Sequence, residues 1–321
     1  MTEMKKIAYV FPGQGAQQVG MGHDLYDHFD SAKAVFNQAD KILGFPLSKL
    51  CFDGPEDELR QTINAQPALV TASFACLQAI NEIGGENSLP PPDFVAGHSL
   101  GEYTALAVAG VFDFATAVYL ARERGRLMYE AGLVRPGSMA AIIGMDEVLL
   151  SEVCRQTGTW IANINCPGQL VISGDRKNMA EAMDLAKTKG AHRAIPLQVS
   201  GAFHTPLMQP AFDGMAEIIP TISFNKPVIS IIGNTAARPL PATESVKTEL
   251  LEQLCNCVQW QRSVEYMVKE GVSTFIEIGP GKVLTGLIKR INRDAETINI
   301  GDLAAVESLA NSQIIRTQQR A

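Results

Sequence analysis

The sequence predicts an α/β fold: a large domain on a mostly parallel sheet flanked by helices, with a small βαββαβ subdomain inserted into it. Three observations carry this. β-branched and aromatic runs alternate with helical patterns through the first 130 or so residues, as parallel strands with crossover helices require. Between residues 138 and 197 the order changes to strand, helix, two strands, helix, strand. Gly97-His98-Ser99-Leu100-Gly101 stands between an apolar strand and a helix, with a small residue two positions from the serine on each side.

The elements follow in order. Residues 7–11 form a β-branched and aromatic strand that runs into Pro12-Gly13-Gln14-Gly15, a loop whose backbone can approach another group closely. Neither a dinucleotide fingerprint nor a P-loop fits its spacing. Residues 24–43 read as a helix, and 62–83 as a long helix buried on most sides. After three prolines (90–92), residues 93–96 read as a short buried strand and 100–109 as a helix. Residues 113–131 continue as a helix with three arginines.

Gly137 marks the change of rhythm. Strands are predicted at 138–145, 160–165, 170–173 and 192–197, with helices at 146–157 and 177–189. That is the ferredoxin-like plan, and it divides the chain into a discontinuous large domain (1–132 and 198–321) around a subdomain at 133–197. Beyond it, a strand is predicted at 227–232, helices at 243–255 and 261–270, and a strand at 273–278. A final helix carries Lys282, Lys289, Arg290 and Arg293, a basic face that could meet an acidic partner or simply be solvated, and the tail after about Ser308 is polar.

Composition narrows the function. A chain of 321 residues with 27 Lys and Arg against 34 Asp and Glu, net −7, lacks the basic surface that phosphate contacts demand, so nucleic acid is not an expected partner. Its apolar runs, such as 105–112, are too short to span a bilayer, and the N-terminal residues do not read as a signal peptide. Six scattered cysteines without a C-x-x-C pair or a nearby histidine indicate neither a disulfide framework nor a metal site. A reducing cytoplasm is the expected compartment.

The chemistry converges on three residues. Ser99, on a sharp turn before a helix N-terminus, is a candidate nucleophile, although five residues alone describe a glycine-rich turn equally well. It needs a base. Of the five histidines, His98 should point to the other side of the turn, while His204 sits in a glycine- and proline-flanked loop and is the best candidate. Arg122 and Arg126 share a charged helix face. Arg124, turned about 160° from Arg122, lies on the apolar stripe. A buried guanidinium needs an anion, either a core carboxylate or a substrate's. The order serine then histidine, with more than a hundred residues still to follow, argues against an α/β-hydrolase.

The motifs FPGQGAQ (11–17), GHSLGEY (97–103), NINCPGQLVISG (163–174), AFHTPLM (202–208), QLCNCVQW (253–260) and EIGPGKVLTGL (277–287), with Arg124 followed by Gly125, together resemble the malonyl-CoA:acyl carrier protein transacylase family over nearly the whole chain. The resemblance implies that Ser99 is the acylated nucleophile and His204 its base and acid. It further implies that the main-chain carbonyl of Gln253 orients His204, that the N–H groups of Gln14 and Leu100 form an oxyanion hole, and that Arg124 holds the malonyl carboxylate. The implied partners are malonyl-CoA and acyl carrier protein, the kinetics ping-pong, with no cofactor beyond the coenzyme A thioester as substrate. A serine hydrolase or thioesterase using the same Ser99 and His204 is the alternative. Cys257 departs from the family pattern, which usually has proline before Val-Gln-Trp, and bears on the loop near Gln253.

Overall fold

The computed structural model describes residues 6–85, 89–199 and 201–310, so the polar tail expected after about Ser308 lies, from residue 311, outside the described residues. The first part of the chain gives β1 (Lys6–Phe11), α1 (His23–His28), α2 (Asp30–Leu43), α3 (Leu47–Asp53), α4 (Glu56–Arg60), α5 (Thr62–Gly84), β2 (Phe94–Gly97), α6 (Gly101–Val108) and α7 (Phe114–Val134). The helix expected over 24–43 is two helices, because Phe29 between them is extended (φ −126°, ψ 122°) and buries its ring. The two short helices α3 and α4 were not anticipated.

The second part gives β3 (Gly137–Ile143), α8 (Glu147–Thr157), β4 (Trp160–Cys166), β5 (Gln169–Asp175), α9 (Arg176–Thr188) and β6 (Arg193–Pro196). These four strands form one antiparallel sheet in the order β4-β5-β3-β6. The aspartates that mark the helix starts act as caps: Asp113 accepts from Thr116 N–H at 2.8 Å and Asp146 from Leu149 N–H at 2.9 Å. Each such cap typically stabilises its helix by about 1 kcal/mol.

The last part gives α10 (Gln209–Ile218), β7 (Ser230–Ile232), α11 (Thr243–Cys255), α12 (Trp260–Lys269), β8 (Val272–Ile278), α13 (Val283–Ile291), β9 (Glu296–Ile300) and α14 (Leu303–Ala310). Thus α13 is not the final helix, as the sequence suggested. A short, partly buried strand and another helix follow it, and so brief a run as Glu296–Ile300 carries little periodicity to read.

Strands β7-β2-β1-β8-β9 form a parallel sheet, with Phe11 of β1 beside Gly97 of β2. In open parallel sheets the loops leaving the carboxyl ends of adjacent strands share one crevice. Here those loops carry Gln14 after β1, Ser99 after β2 and Asn234 after β7. The antiparallel sheet is tied across this crevice: Asn163 of β4 bridges to Val258, Glu147 of α8 pairs with Arg262 at 2.7 Å, and Arg290 donates to Gln169 at 2.6 Å.

Candidate active site

The turn at Ser99 exists because glycine occupies three crowded places. A Cβ on Gly97 would lie 1.9 Å from the Gly101 carbonyl carbon, one on Gly101 2.1 Å from the Phe11 oxygen, and one on Gly13 2.2 Å from the His98 oxygen. The loop after β1, the end of β2 and the start of α6 therefore pack backbone on backbone. Ser99 is forced into the left-handed region at φ 50°, a strain of about 1–3 kcal/mol for a residue with a Cβ. Asn234 braces it: its Oδ1 accepts from Ser99 N–H and its Nδ2 donates to the Gly97 carbonyl, each at 2.8 Å.

His204 reaches Ser99 from the loop after β6. It too is left-handed, at φ 60°, and is 4% exposed. Its Nδ1 lies 2.7 Å from the Gln253 main-chain carbonyl, which can only accept, so Nδ1 carries the proton. Nε2 is then the basic nitrogen, and it lies 2.8 Å from Ser99 Oγ. Burial first, and the neighbouring Arg124 charge second, push the imidazole down to about 3. His204 is a neutral ring aimed at an alcohol, with no acidic residue in the pairing.

Arg124 projects from α7 into the same place and is 1% exposed. Its two terminal nitrogens meet amide oxygens: Nη1 donates to Gln66 Oε1 at 2.7 Å and Nη2 to Gln253 Oε1 at 2.6 Å. Nη2 also donates to Ser99 Oγ at 3.1 Å. Among the described residues no carboxylate lies within ion-pair distance of it, so a buried cation is held by neutral acceptors. Arg122, by contrast, donates to the Ile63 carbonyl, which the missing N–H of Pro67 leaves open on α5. Arg126 pairs with Glu123 and Glu130 on the exposed side.

The main-chain N–H groups of Gln14 and Leu100 donate to no acceptor among the described residues. Leu100 stands where α6 starts, the end of a helix at which N–H groups are unpartnered. Gln14, Ser99, Arg124 and His204 line one cleft of about 570 Å³, together with Met139, Val171, Leu197, Val283 and Arg60.

The acyl transferase domain family matches residues 8–311. The malonyl CoA-acyl carrier protein transacylase of Bacillus subtilis is 46% identical over 309 residues, 95% of this chain and 96% of that protein. The chain belongs to the malonyl CoA-acyl carrier protein transacylase family. Among solved structures, the acyl-carrier-protein-S-malonyltransferase of Bartonella henselae superposes with a TM-score of 0.90 at 40% identity, covering 95% of this chain and 98% of that one. A malonyl-transacylase in complex with a type II PKS acyl-carrier protein gives 0.90 at 39%, covering 96% and 99%.

Cys257, the departure from the family pattern, does not open the loop beside the site. Val258 N–H donates to the Ala162 carbonyl at 2.9 Å, the Asn163 bridge holds, and the Gln253 carbonyl still meets His204. Of the basic face on α13, Lys289 donates to the Ala295 carbonyl and Arg290 to Gln169, while Lys282 and Arg293 are exposed. His98 turns away from Ser99 as expected, to Asn165 Oδ1 at 2.9 Å, which is what the NIN segment of this family motif contributes.

Sequence reasoning missed Gln66, Asn234 and the side chain of Gln253. Gln66 carried a signal, being a polar residue on a helix read as buried nearly all round. It links Arg124 through Thr62 to the side chain of Gln14, by bonds of 2.7 and 2.9 Å. Asn234 carried none, since a single asparagine after a short strand is ordinary turn chemistry.

Proposed function

We propose that this chain transfers a malonyl group from coenzyme A to the phosphopantetheine thiol of acyl carrier protein, through a malonyl ester on Ser99, in fatty acid biosynthesis. The observation that carries it is one oxygen with two neighbours. Ser99 Oγ lies 2.8 Å from a neutral imidazole nitrogen and 3.1 Å from a buried guanidinium that pairs with no carboxylate among the described residues. The first suits a nucleophile. The second suits an acyl group that brings a carboxylate.

His204 Nε2 takes the Ser99 proton as Oγ attacks the thioester carbonyl carbon. The resulting oxyanion accepts from Gln14 and Leu100 N–H, and such donors each contribute on the order of a hundredfold or more in rate. On collapse the carbon–sulfur bond breaks and His204 returns its proton to the departing thiolate of coenzyme A. In the second half His204 takes the proton of the carrier's thiol, whose sulfur attacks the ester, and Ser99 leaves as the alcohol. Arg124 holds the malonyl carboxylate through both halves. Acetyl lacks that carboxylate and leaves the cation buried and unmatched, so selectivity follows from a contact of about 1.5–3 kcal/mol. The groups that act are all side chains and main chain of this protein, and the thioester is substrate rather than cofactor.

The hydrolase alternative would use the same Ser99, His204 and Arg124 and has no observation in its favour, whereas the relatives carry transacylase names. The cytoplasm is the proposed compartment: all six cysteines are free, and no described helix is long and apolar enough to cross a membrane. Intact mass after mixing with malonyl-CoA tests the reading. A covalent malonyl adduct that Ser99→Ala abolishes and that acyl carrier protein removes is expected. Free malonate without transfer would reject it.

A further inference from the structure

Glu102, the acid of GHSLGEY, is 0% exposed and lies one turn beyond Ser99 on α6. Burial, and the nearby Glu249 after it, raise its carboxyl well above the usual range. A polar group is kept in such a place only with hydrogen-bond partners. Both oxygens accept: Oε1 from the backbone N–H of Asn234 at 2.9 Å, Oε2 from Gln253 Nε2 at 2.5 Å. Gln253 Nε2 donates also to the Ser99 carbonyl at 2.9 Å.

An amide side chain has nearly the same shape either way round, so its partners decide which end points where. Two acceptors, Glu102 Oε2 and the Ser99 carbonyl, hold the nitrogen of Gln253 on the Glu102 side. The oxygen of Gln253 is thereby turned to Arg124 Nη2, 2.6 Å away. Glu102 thus acts on the cation at one remove, through the way round it holds the amide. A carboxylate directly on Arg124 would cancel the charge a substrate acid needs; an intervening amide steadies the guanidinium and leaves it open.

We infer that Glu102 is a positioning residue for acyl selectivity: it fixes which end of the Gln253 side chain faces Arg124, and so holds the guanidinium beside Ser99. This rests on the proposed role of Arg124 as the carboxylate anchor. Glu102→Gln keeps the shape but turns one acceptor into a donor. Aimed at Asn234, that donor meets another N–H. Aimed at Gln253, it drives the amide round and sets a second donor against Arg124.

The test measures kcat/KM with malonyl-CoA and acetyl-CoA, together with Tm, for the wild type, Arg124→Ala, Glu102→Gln, and the double exchange of Glu102→Gln with Gln253→Glu. Glu102→Gln is expected to lower the malonyl-to-acetyl ratio about tenfold or more, the size of one lost charge-assisted contact. The double exchange restores a donor–acceptor match between positions 102 and 253 but turns an acceptor towards the Ser99 carbonyl, so it recovers only part of Tm, and it places a carboxylate on Arg124 and lowers the ratio further. If Glu102→Gln folds poorly, the double exchange decides alone. Equal losses for both acyl groups, an unchanged ratio, or a double exchange that restores malonyl transfer would overturn the inference. Should Arg124→Ala itself leave the ratio unchanged, the anchor reading fails and this one with it; should only Glu102→Gln leave it unchanged, the anchor stands and this inference alone falls.

Discussion

Ser99 Oγ and His204 Nε2 meet at 2.8 Å while both residues hold left-handed backbone, at φ 50° and 60°. Each strained turn is fastened by a main-chain or amide partner from another element, Asn234 for the serine and the Gln253 carbonyl for the histidine. Strain of this kind persists only where surrounding structure fixes it, and here it sets the distance between the two side chains.

Removing the cation should separate two substrates. Arg124→Ala is expected to lower malonyl kcat/KM by about ten- to a hundredfold or more, the equivalent of a charge-assisted bond, and to spare or raise acetyl transfer. Malonyl kcat/KM at the wild-type level would sink the carboxylate assignment.

The imidazole predicts the direction of two pH effects. An unfolded histidine titrates near 6.5, whereas buried His204 is pushed down to about 3. Between these values the unfolded chain binds a proton that the folded chain refuses, so this residue's contribution to stability falls as pH drops through that window. Denaturation of the wild type against His204→Gln should show a stability difference that changes with pH only within it. In kinetics, the acid limb of kcat/KM lies well below 6.5. A malonyl carboxylate on Arg124 offsets the second cause of the shift, so the limb of kcat lies at higher pH than that of kcat/KM, and the gap closes with acetyl-CoA. A kcat/KM limb at 6.5 would contradict the neutral buried ring.

Asn234→Ala strips the brace from the elbow. Ser99 N–H and the Gly97 carbonyl lose their side-chain partners, at about 1–3 kcal/mol for each buried group left unpaired. The expected result is a lower urea midpoint and a kcat that falls more than KM rises. Wild-type kcat would show that the turn needs no brace.

Gly101→Ala tests the backbone packing. Its Cβ would sit 2.1 Å from the Phe11 oxygen, so β1 and the turn must move apart. Overpacking costs about 1–3 kcal/mol where side chains can yield, and main chain yields less, so a loss at or above the top of that range is expected by chemical denaturation. Near-native stability would show that the loop after β1 is not pressed on the elbow.

Much of this was legible in the residues themselves. The alternation of elements gave the parallel sheet, Gly97 and Gly101 marked the elbow, and helical geometry placed Arg124 inward and Arg126 outward. Family resemblance supplied the roles implied for Gln14, Leu100 and the Gln253 carbonyl. What stayed hidden was pairing across distance: the side chain of Gln253 joins Ser99, Glu102 and Arg124 from as far as 154 positions away, and no local pattern encodes such a meeting. The break at Phe29 and the strand Glu296–Ile300 escaped because short elements owe their form to tertiary packing more than to periodicity.

Ser99 and His204 stand 105 positions apart, and the chain folds an entire antiparallel sheet on the way from one to the other. A ribosome therefore delivers the alcohol well before the ring that arms it. On the proposed mechanism, a nascent or truncated polypeptide ending between them has the serine without its base, so reaction with thioesters waits on tertiary assembly.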